Sequence, residues 1–229
     1  MQSPAPAQPP YVAAMFDFEG TLVDFQWRLE PAEAELRRAL AGIGLCGGEF
    51  EHGNYAALWN TAADRLAPQG RIDELRATLG PIYDRWDADA LRRWTARPGA
   101  AALLRGLAQS GARVALVSNV GGRALGVALE RFGFAPWLAP VVTRDDVTAL
   151  KPRAQGIAQV LAAWRDVDPA KVLFVGDSLA DVSAARAAAM PVAIVRGGEC
   201  DAAAFAGDPP DHVISRLEEL AGWVGRTGR

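Results

Sequence analysis

Lysine is almost missing from this chain: of its 24 basic residues only two, Lys151 and Lys171, are lysines, and the rest are arginines. Cysteine is as scarce. Cys46 and Cys200 match no metal-ligand spacing and are too few for a disulfide framework, which points to a reducing compartment. No apolar run reaches the roughly 20 residues that a membrane-spanning helix needs. The first ten residues, MQSPAPAQPP, contain no basic residue and read as a loose, disordered Pro/Ala-rich tail, not a signal peptide. A net charge of −3 gives no electrostatic case for nucleic acid or an anionic membrane surface as partner. These absences leave a soluble cytoplasmic protein as the expectation. What is plentiful is apolar surface: half of the 229 residues are hydrophobic, enough for one large domain or two modest ones.

The apolar run Tyr11–Met15 reads as a strand buried on both faces, as in a parallel sheet. Residues 24–94 then contain no convincing strand. Pro31–Ala41 is a helix with proline early and its acidic residues before its basic ones. Asn54–Leu66 is a second helix with Asn54 as N-cap. Ile72–Leu79 and Ile82–Trp94 are two more, separated by Gly80-Pro81. Trp59, Trp86 and Trp94 fit the core of such a bundle better than a ligand site.

From Pro98 the pattern alternates. Strands are expected at Arg113–Ser118, Pro140–Thr143, Lys171–Gly176, Pro191–Val195 and His212–Ile214. Helices are expected at Gly99–Gln109, Gly122–Phe132, Arg153–Trp164, Ser178–Ala189 and Leu217–Trp223. The fold class is therefore α/β, a three-layer, Rossmann-like parallel sheet. Residues 11–23 and 95–229 form its core, and residues 24–94 form a small helical domain inserted after the first strand, a lid at the sheet's carboxyl edge.

Four stretches stand where strands end, which is where open α/β sheets keep their sites. Phe16-Asp17-Phe18-Glu19-Gly20-Thr21 offers two carboxylates and a glycine turn. Leu116-Val117-Ser118-Asn119 brings a hydroxyl to the start of a helix, whose free N–H groups suit an anion. Lys151-Pro152 supplies a compact ammonium in a chain that uses arginine almost everywhere. Gly176-Asp177-Ser178-Leu179-Ala180-Asp181 adds a second pair of acids one helical turn apart. Taken singly, each stretch is matched by an ordinary cap or turn. Together they are what phosphoryl transfer to a carboxylate requires: hard oxygens for Mg²⁺, a carboxylate nucleophile, a cradle for phosphoryl oxygens and a second acid to protonate the leaving oxygen and then activate water.

With these motifs in this order the chain resembles the haloacid dehalogenase-like hydrolase superfamily, in the branch of the phosphoglycolate phosphatase-like enzymes, which carries a helical cap after the first strand. The resemblance rests on FDFEGTLVD, RPGAAALLRGLAQSGARVALVSN, LKP and FVGDSLADVSAARAAAM and spans nearly the whole chain. It implies Asp17 as nucleophile, Glu19 as general acid/base and Thr21 as a residue fixing their loop at the phosphate site. It implies Ser118 and the Asn119 amide as phosphate contacts and Lys151 as the neutralising cation. Mg²⁺ would be held by Asp17, Asp177 and the backbone carbonyl of Glu19, with Asp181 supporting the metal shell. The first strand would lie centrally in the sheet.

One position departs from the family's usual pattern: Glu19 stands where most of its phosphatases have aspartate. The glutamate keeps the chemistry with about 1.5 Å more reach, and a similar Asp-x-Glu-Gly-Thr occurs in the enolase-phosphatase branch. Dehalogenases of the superfamily place a non-acidic residue there and are disfavoured. Phosphonoacetaldehyde hydrolases use a cap lysine, and residues 24–94 contain none. The expected function is Mg²⁺-dependent hydrolysis of a small phosphorylated metabolite through an aspartyl-phosphate. A non-catalytic phosphate-binding module is the competing reading. The cap arginines Arg28, Arg65 and Arg71 are candidates for meeting a second anionic group on the substrate. Oligomeric state is left open.

Overall fold

The computed structural model describes residues 10–225, so the expected tail at 1–10 lies, apart from Pro10, outside the described residues. β1 (Ala13–Phe16) is buried along its whole length, as an uninterrupted apolar run predicts. It is central to a six-stranded sheet of order β3-β2-β1-β4-β5-β6. The other strands are β2 (Arg113–Val117), β3 (Val141–Val142), β4 (Val172–Gly176), β5 (Val192–Val195) and β6 (His212–Ile214). Every pairing is parallel. β1 pairs on one side with β2 and on the other with β4, with Phe16 opposite Leu116 and Val175. The carboxyl ends of the three middle strands therefore open at one edge, where the strand order reverses direction.

The long connection after β1 is helical, as expected: α1 (Leu29–Gly42), a short α2 (Gly48–Glu51), α3 (Tyr55–Leu66) and α4 (Ile72–Leu91). The Asn54 side chain caps α3 by accepting from Ala57 N–H at 2.9 Å. Two separate helices are expected over 72–94, but α4 runs through Gly80-Pro81 without a break. Interior proline costs a helix on the order of 3 kcal/mol. The buried stripe Leu75, Leu79, Tyr83, Asp87 and Ala90 offsets it, since each large apolar side chain removed from water returns about 1.5–3 kcal/mol. Packing on α1 and α3 along that stripe overrides the local breaker. Trp59 and Trp94 are buried, and Trp86 is half-buried with its indole N–H donating to Glu35.

The chain leaves the sheet and returns to it through two segments that are stitched together. Val23 and Ala96 form an antiparallel bridge, and Thr95 N–H donates to the Asp24 carboxylate at 2.6 Å. Alternation then follows the expected register through α5 (Ala100–Gln109), α6 (Gly122–Phe132), α7 (Gln155–Ala163) and α8 (Leu179–Ala187). The expected last helix, Leu217–Trp223, is only a 3-10 turn, Leu217–Leu220, that buries Leu217 and Leu220. Cys46 and Cys200 are free thiols. Among the described residues no helix is long and apolar enough to cross a membrane.

Candidate active site

The turn after β1 sets the geometry of everything else. The ladder continues one residue past the strand, with Asp17 N–H donating to Val175 O at 2.9 Å. The carbonyl of Phe18 then accepts from the N–H groups of Thr21, Leu22 and Val23, and Gly20 turns the chain at φ +83°. That φ favours glycine, and a Cβ at this point would also collide with the Asp177 carboxylate. The Thr21 hydroxyl, fully buried, donates to Asp177 Oδ1 at 2.9 Å. Thr21 thus fixes the loop, as expected, but its hydroxyl is spent on a carboxylate instead of being offered to a phosphate.

Four of the expected site residues meet at the edge of β1 and β4. Lys151 Nζ lies 2.6 Å from Asp17 Oδ1 and 2.7 Å from Asp181 Oδ1, with Phe174 beneath it at 5.6 Å. Asp181 caps its own helix: its Oδ2 accepts from the N–H groups of Asp177 and Ser178 at 3.0 Å and from the Ser178 hydroxyl at 2.8 Å. Asp17, Asp177 and Asp181 each bring a carboxylate oxygen within 4.8 Å of the others. All three are buried, and one ammonium faces them, so three negative charges against one positive leave two uncompensated. A buried excess of that sign and size, made of hard oxygens, fits a divalent cation such as Mg²⁺. The strain shows in the protonation equilibria. Burial raises Asp17 to about 6 despite the opposing pull of Lys151. Asp177 is raised well above the usual carboxylate range, first by burial and then by Asp181 and Asp17.

Ser118 and Asn119 end β2 as expected, facing the same space. The Asn119 side chain also ties two loops together, its Oδ1 accepting from Lys151 N–H at 3.0 Å and its Nδ2 donating to Lys151 O at 3.2 Å. The serine loop and the lysine loop are therefore clamped into one unit. The start of α6 is not a free anion site. Gly121 N–H donates to Asp87 Oδ2 at 3.0 Å, and Gly122 N–H donates to Asp145 Oδ2 at 2.8 Å. The sequence expectation of open N–H groups here is corrected: an acid from α4 already fills the helix terminus. Asp87 is buried and also accepts from Arg144 Nη1 at 2.6 Å and from the Trp27 indole at 3.0 Å, while Arg144 pairs in addition with Asp84.

Glu19 points away from the carboxylate cluster's hydrogen bonds. Its Oε1 accepts from Gln26 N–H and Trp27 N–H, both at 2.7 Å, and from the Trp94 indole at 2.9 Å. These donors favour the charged form, yet burial outweighs them and lifts the carboxyl to about 8. At neutral pH it carries a proton, and with Oε1 accepting three N–H groups the proton belongs on Oε2.

The cavity enclosed by these groups has a free volume of about 30 Å³, on the order of one or two waters. Its walls include residues that sequence reasoning missed: Phe25, Trp27, Tyr55, Tyr83, Asp87 and Glu199. Glu199 follows β5, so the strand-end rule applied to one more strand would have reached it; burial and the negative charges of Asp181 and Asp17 raise it to about 7. An acid at the next position of the apolar stripe Leu75-Leu79-Tyr83 was the signal for Asp87. The three candidate arginines go elsewhere: Arg28 pairs with Asp89, Arg65 with Glu49 and Arg71 with Glu74, and none of them lines the cavity.

The carboxyl edge of a parallel α/β sheet thus gathers three buried acids and one lysine. The model of the haloacid dehalogenase-like hydrolase family matches residues 11–189, and the chain belongs to that family. It is 33% identical over 222 residues to the phosphoglycolate phosphatase (plasmid) of Cupriavidus necator, covering 92% of each chain. It is 29% identical over 210 residues to the phosphoglycolate phosphatase of Pseudomonas savastanoi pv. phaseolicola, covering 90% of this chain and 77% of that one. Among solved structures, CbbY from Rhodobacter sphaeroides in complex with phosphate has the same fold, with a TM-score of 0.64 at 21% identity over 93% of this chain and 99% of that one.

Proposed function

We propose that this chain is a Mg²⁺-dependent phosphomonoester hydrolase acting on a small phosphorylated metabolite. The observation that supports it most strongly is the Lys151 ammonium bridging Asp17 and Asp181, with Asp177 beside them and a buried Glu19 lining the same cavity. The names of the curated relatives agree with this reaction class.

In the proposed sequence, one Asp17 oxygen attacks phosphorus and the bond from phosphorus to the leaving oxygen breaks. Glu19 gives its proton to that oxygen, and the alcohol departs. Glu19, now a carboxylate, takes a proton from water as the water attacks the aspartyl-phosphate, so that Asp17 and inorganic phosphate are released. Lys151 holds Asp17 in place and offsets charge on the phosphoryl oxygens, together with the Ser118 hydroxyl and the Asn119 N–H. Asp17, Asp177 and the Glu19 carbonyl would hold Mg²⁺, with Asp181 orienting Lys151 and the loop after β4. Bound there, the ion supplies charge neutralisation for the transferring group. The helices of 24–94 act as a cap that shuts the cavity from water, and a substrate larger than the present free volume requires them to move.

The test is hydrolysis of nitrophenyl phosphate with and without Mg²⁺. Activity should require the ion, and Asp17→Asn should abolish it while leaving the circular dichroism spectrum unchanged. Turnover by Asp17→Asn within tenfold of the native protein would overturn the reading, and phosphate binding without turnover would favour the non-catalytic module.

A further inference from the structure

The part of the cavity wall that comes from residues 24–94 has a composition of its own. Four aromatic residues, Phe25, Trp27, Tyr55 and Tyr83, line it. Trp27 stacks on Tyr83 with ring centroids 5.9 Å apart and tilts against Tyr55 at 5.0 Å. The charged groups that join them are acids, Asp87 and Glu199. Lys151 is the one cation among the described lining residues, and its ammonium already serves Asp17 and Asp181. Arg144, the nearest buried guanidinium, lies behind Tyr83 at 5.0 Å from its ring and pairs with Asp84 and Asp87.

A second negative charge on a substrate would find no free cation to receive it, since Lys151 is held by Asp17 and Asp181 and Arg144 by Asp84 and Asp87. Resting on the phosphatase reading above, we infer that the substrate is a phosphomonoester whose leaving group carries no negative charge and presents an apolar or aromatic face. The aromatic wall supplies contact area for such a group, and a carboxylate would be dehydrated there without a partner. This separates the chain from relatives whose named substrate, phosphoglycolate, has a carboxylate on the alcohol.

The experiment compares two pairs of esters that differ in that charge: phosphoglycolate against its primary amide, and 4-carboxyphenyl phosphate against 4-carbamoylphenyl phosphate. In Mg²⁺ the native protein should show kcat/KM at least about tenfold higher for the amide of each pair, the scale of leaving one buried charge unpaired. Equal rates, or preference for the carboxylate member, would overturn the inference and leave the phosphatase reading standing. Failure to hydrolyse any of the four esters would overturn the phosphatase reading and the substrate class with it.

Discussion

The protonated Glu19 makes the sharpest prediction, because its proton has a defined place and a defined pH range. With Glu19 at about 8, the reactive form keeps a neutral acid through neutral pH. kcat/KM for an alkyl phosphate should therefore fall along an alkaline limb near pH 8. At pH 7 about ten in eleven molecules hold the Glu19 proton, and at pH 9 about one in eleven, a fall of roughly tenfold. Glu19→Gln keeps three acceptor contacts at the amide oxygen and removes the proton. It should lower kcat/KM for alkyl phosphates by about 10²-fold and erase the alkaline limb. Nitrophenyl phosphate, whose leaving group needs little help, should lose far less. The folded protein gives an independent readout. A carboxyl raised from 4.5 to about 8 holds a proton that the unfolded chain has released over that interval. Its contribution to stability is complete below the unfolded value and is lost as pH rises through the folded one, at about 1.4 kcal/mol per pH unit. Urea unfolding from pH 5 to 8 should show this slope reduced in Glu19→Gln. An alkaline limb near 8 that persists in the variant, or equal losses for alkyl and aryl esters, would refute the assignment.

Three further outcomes follow from the same cluster. Lys151→Arg should reduce kcat more than tenfold despite the kept charge, because a planar guanidinium does not fit a point-charge site between two carboxylates; steady-state kinetics decide it. Asp177→Asn should abolish Mg²⁺-dependent turnover yet raise the melting temperature of the chelator-treated protein, by about 2–4 °C for each kcal/mol of relieved repulsion. Asp87→Asn leaves Arg144 without its buried partner and should cost on the order of 3 kcal/mol by urea denaturation; a change under about 0.5 kcal/mol would mean that Asp84 alone suffices.

The sheet and the lysine cluster were readable from the sequence because strand ends are marked twice, by apolar runs and by the residues that follow them. Asp17, Ser118 and Asp177 directly follow strands, Asp181 lies in the first turn of the helix after β4, Lys151 lies further along the connection after β3, and the structure gathers them. The helices after β1 were readable as helices, but not the continuity of α4, since Gly80-Pro81 is a strong local breaker and the packing that overrides it is not local. The walls of the cavity were least legible. Trp27, Tyr55, Tyr83 and Asp87 look like core positions of amphipathic segments, and only the approach of those segments to the sheet turns their side chains toward the site. Asp87 at the start of α6 shows the same limit, because a helix terminus looks open until the residue that fills it arrives from elsewhere in the chain.

Glu19 also has neighbours of an unusual kind. Its three donors come from residues 26, 27 and 94, the first two on the segment by which the chain leaves the sheet and the last on the segment by which it returns. The acid is thus bonded to both connections through which the helices of 24–94 are attached. Thermodynamic linkage makes the consequence reciprocal. If either connection draws back while the carboxyl stays buried, the donors that favour the charged form are lost and its proton is held more tightly. Conversely, ionising Glu19 pulls the two connections toward it. Proton affinity at this one carboxyl and the position of the helices are two measures of a single equilibrium, so a change imposed on either must be felt by the other.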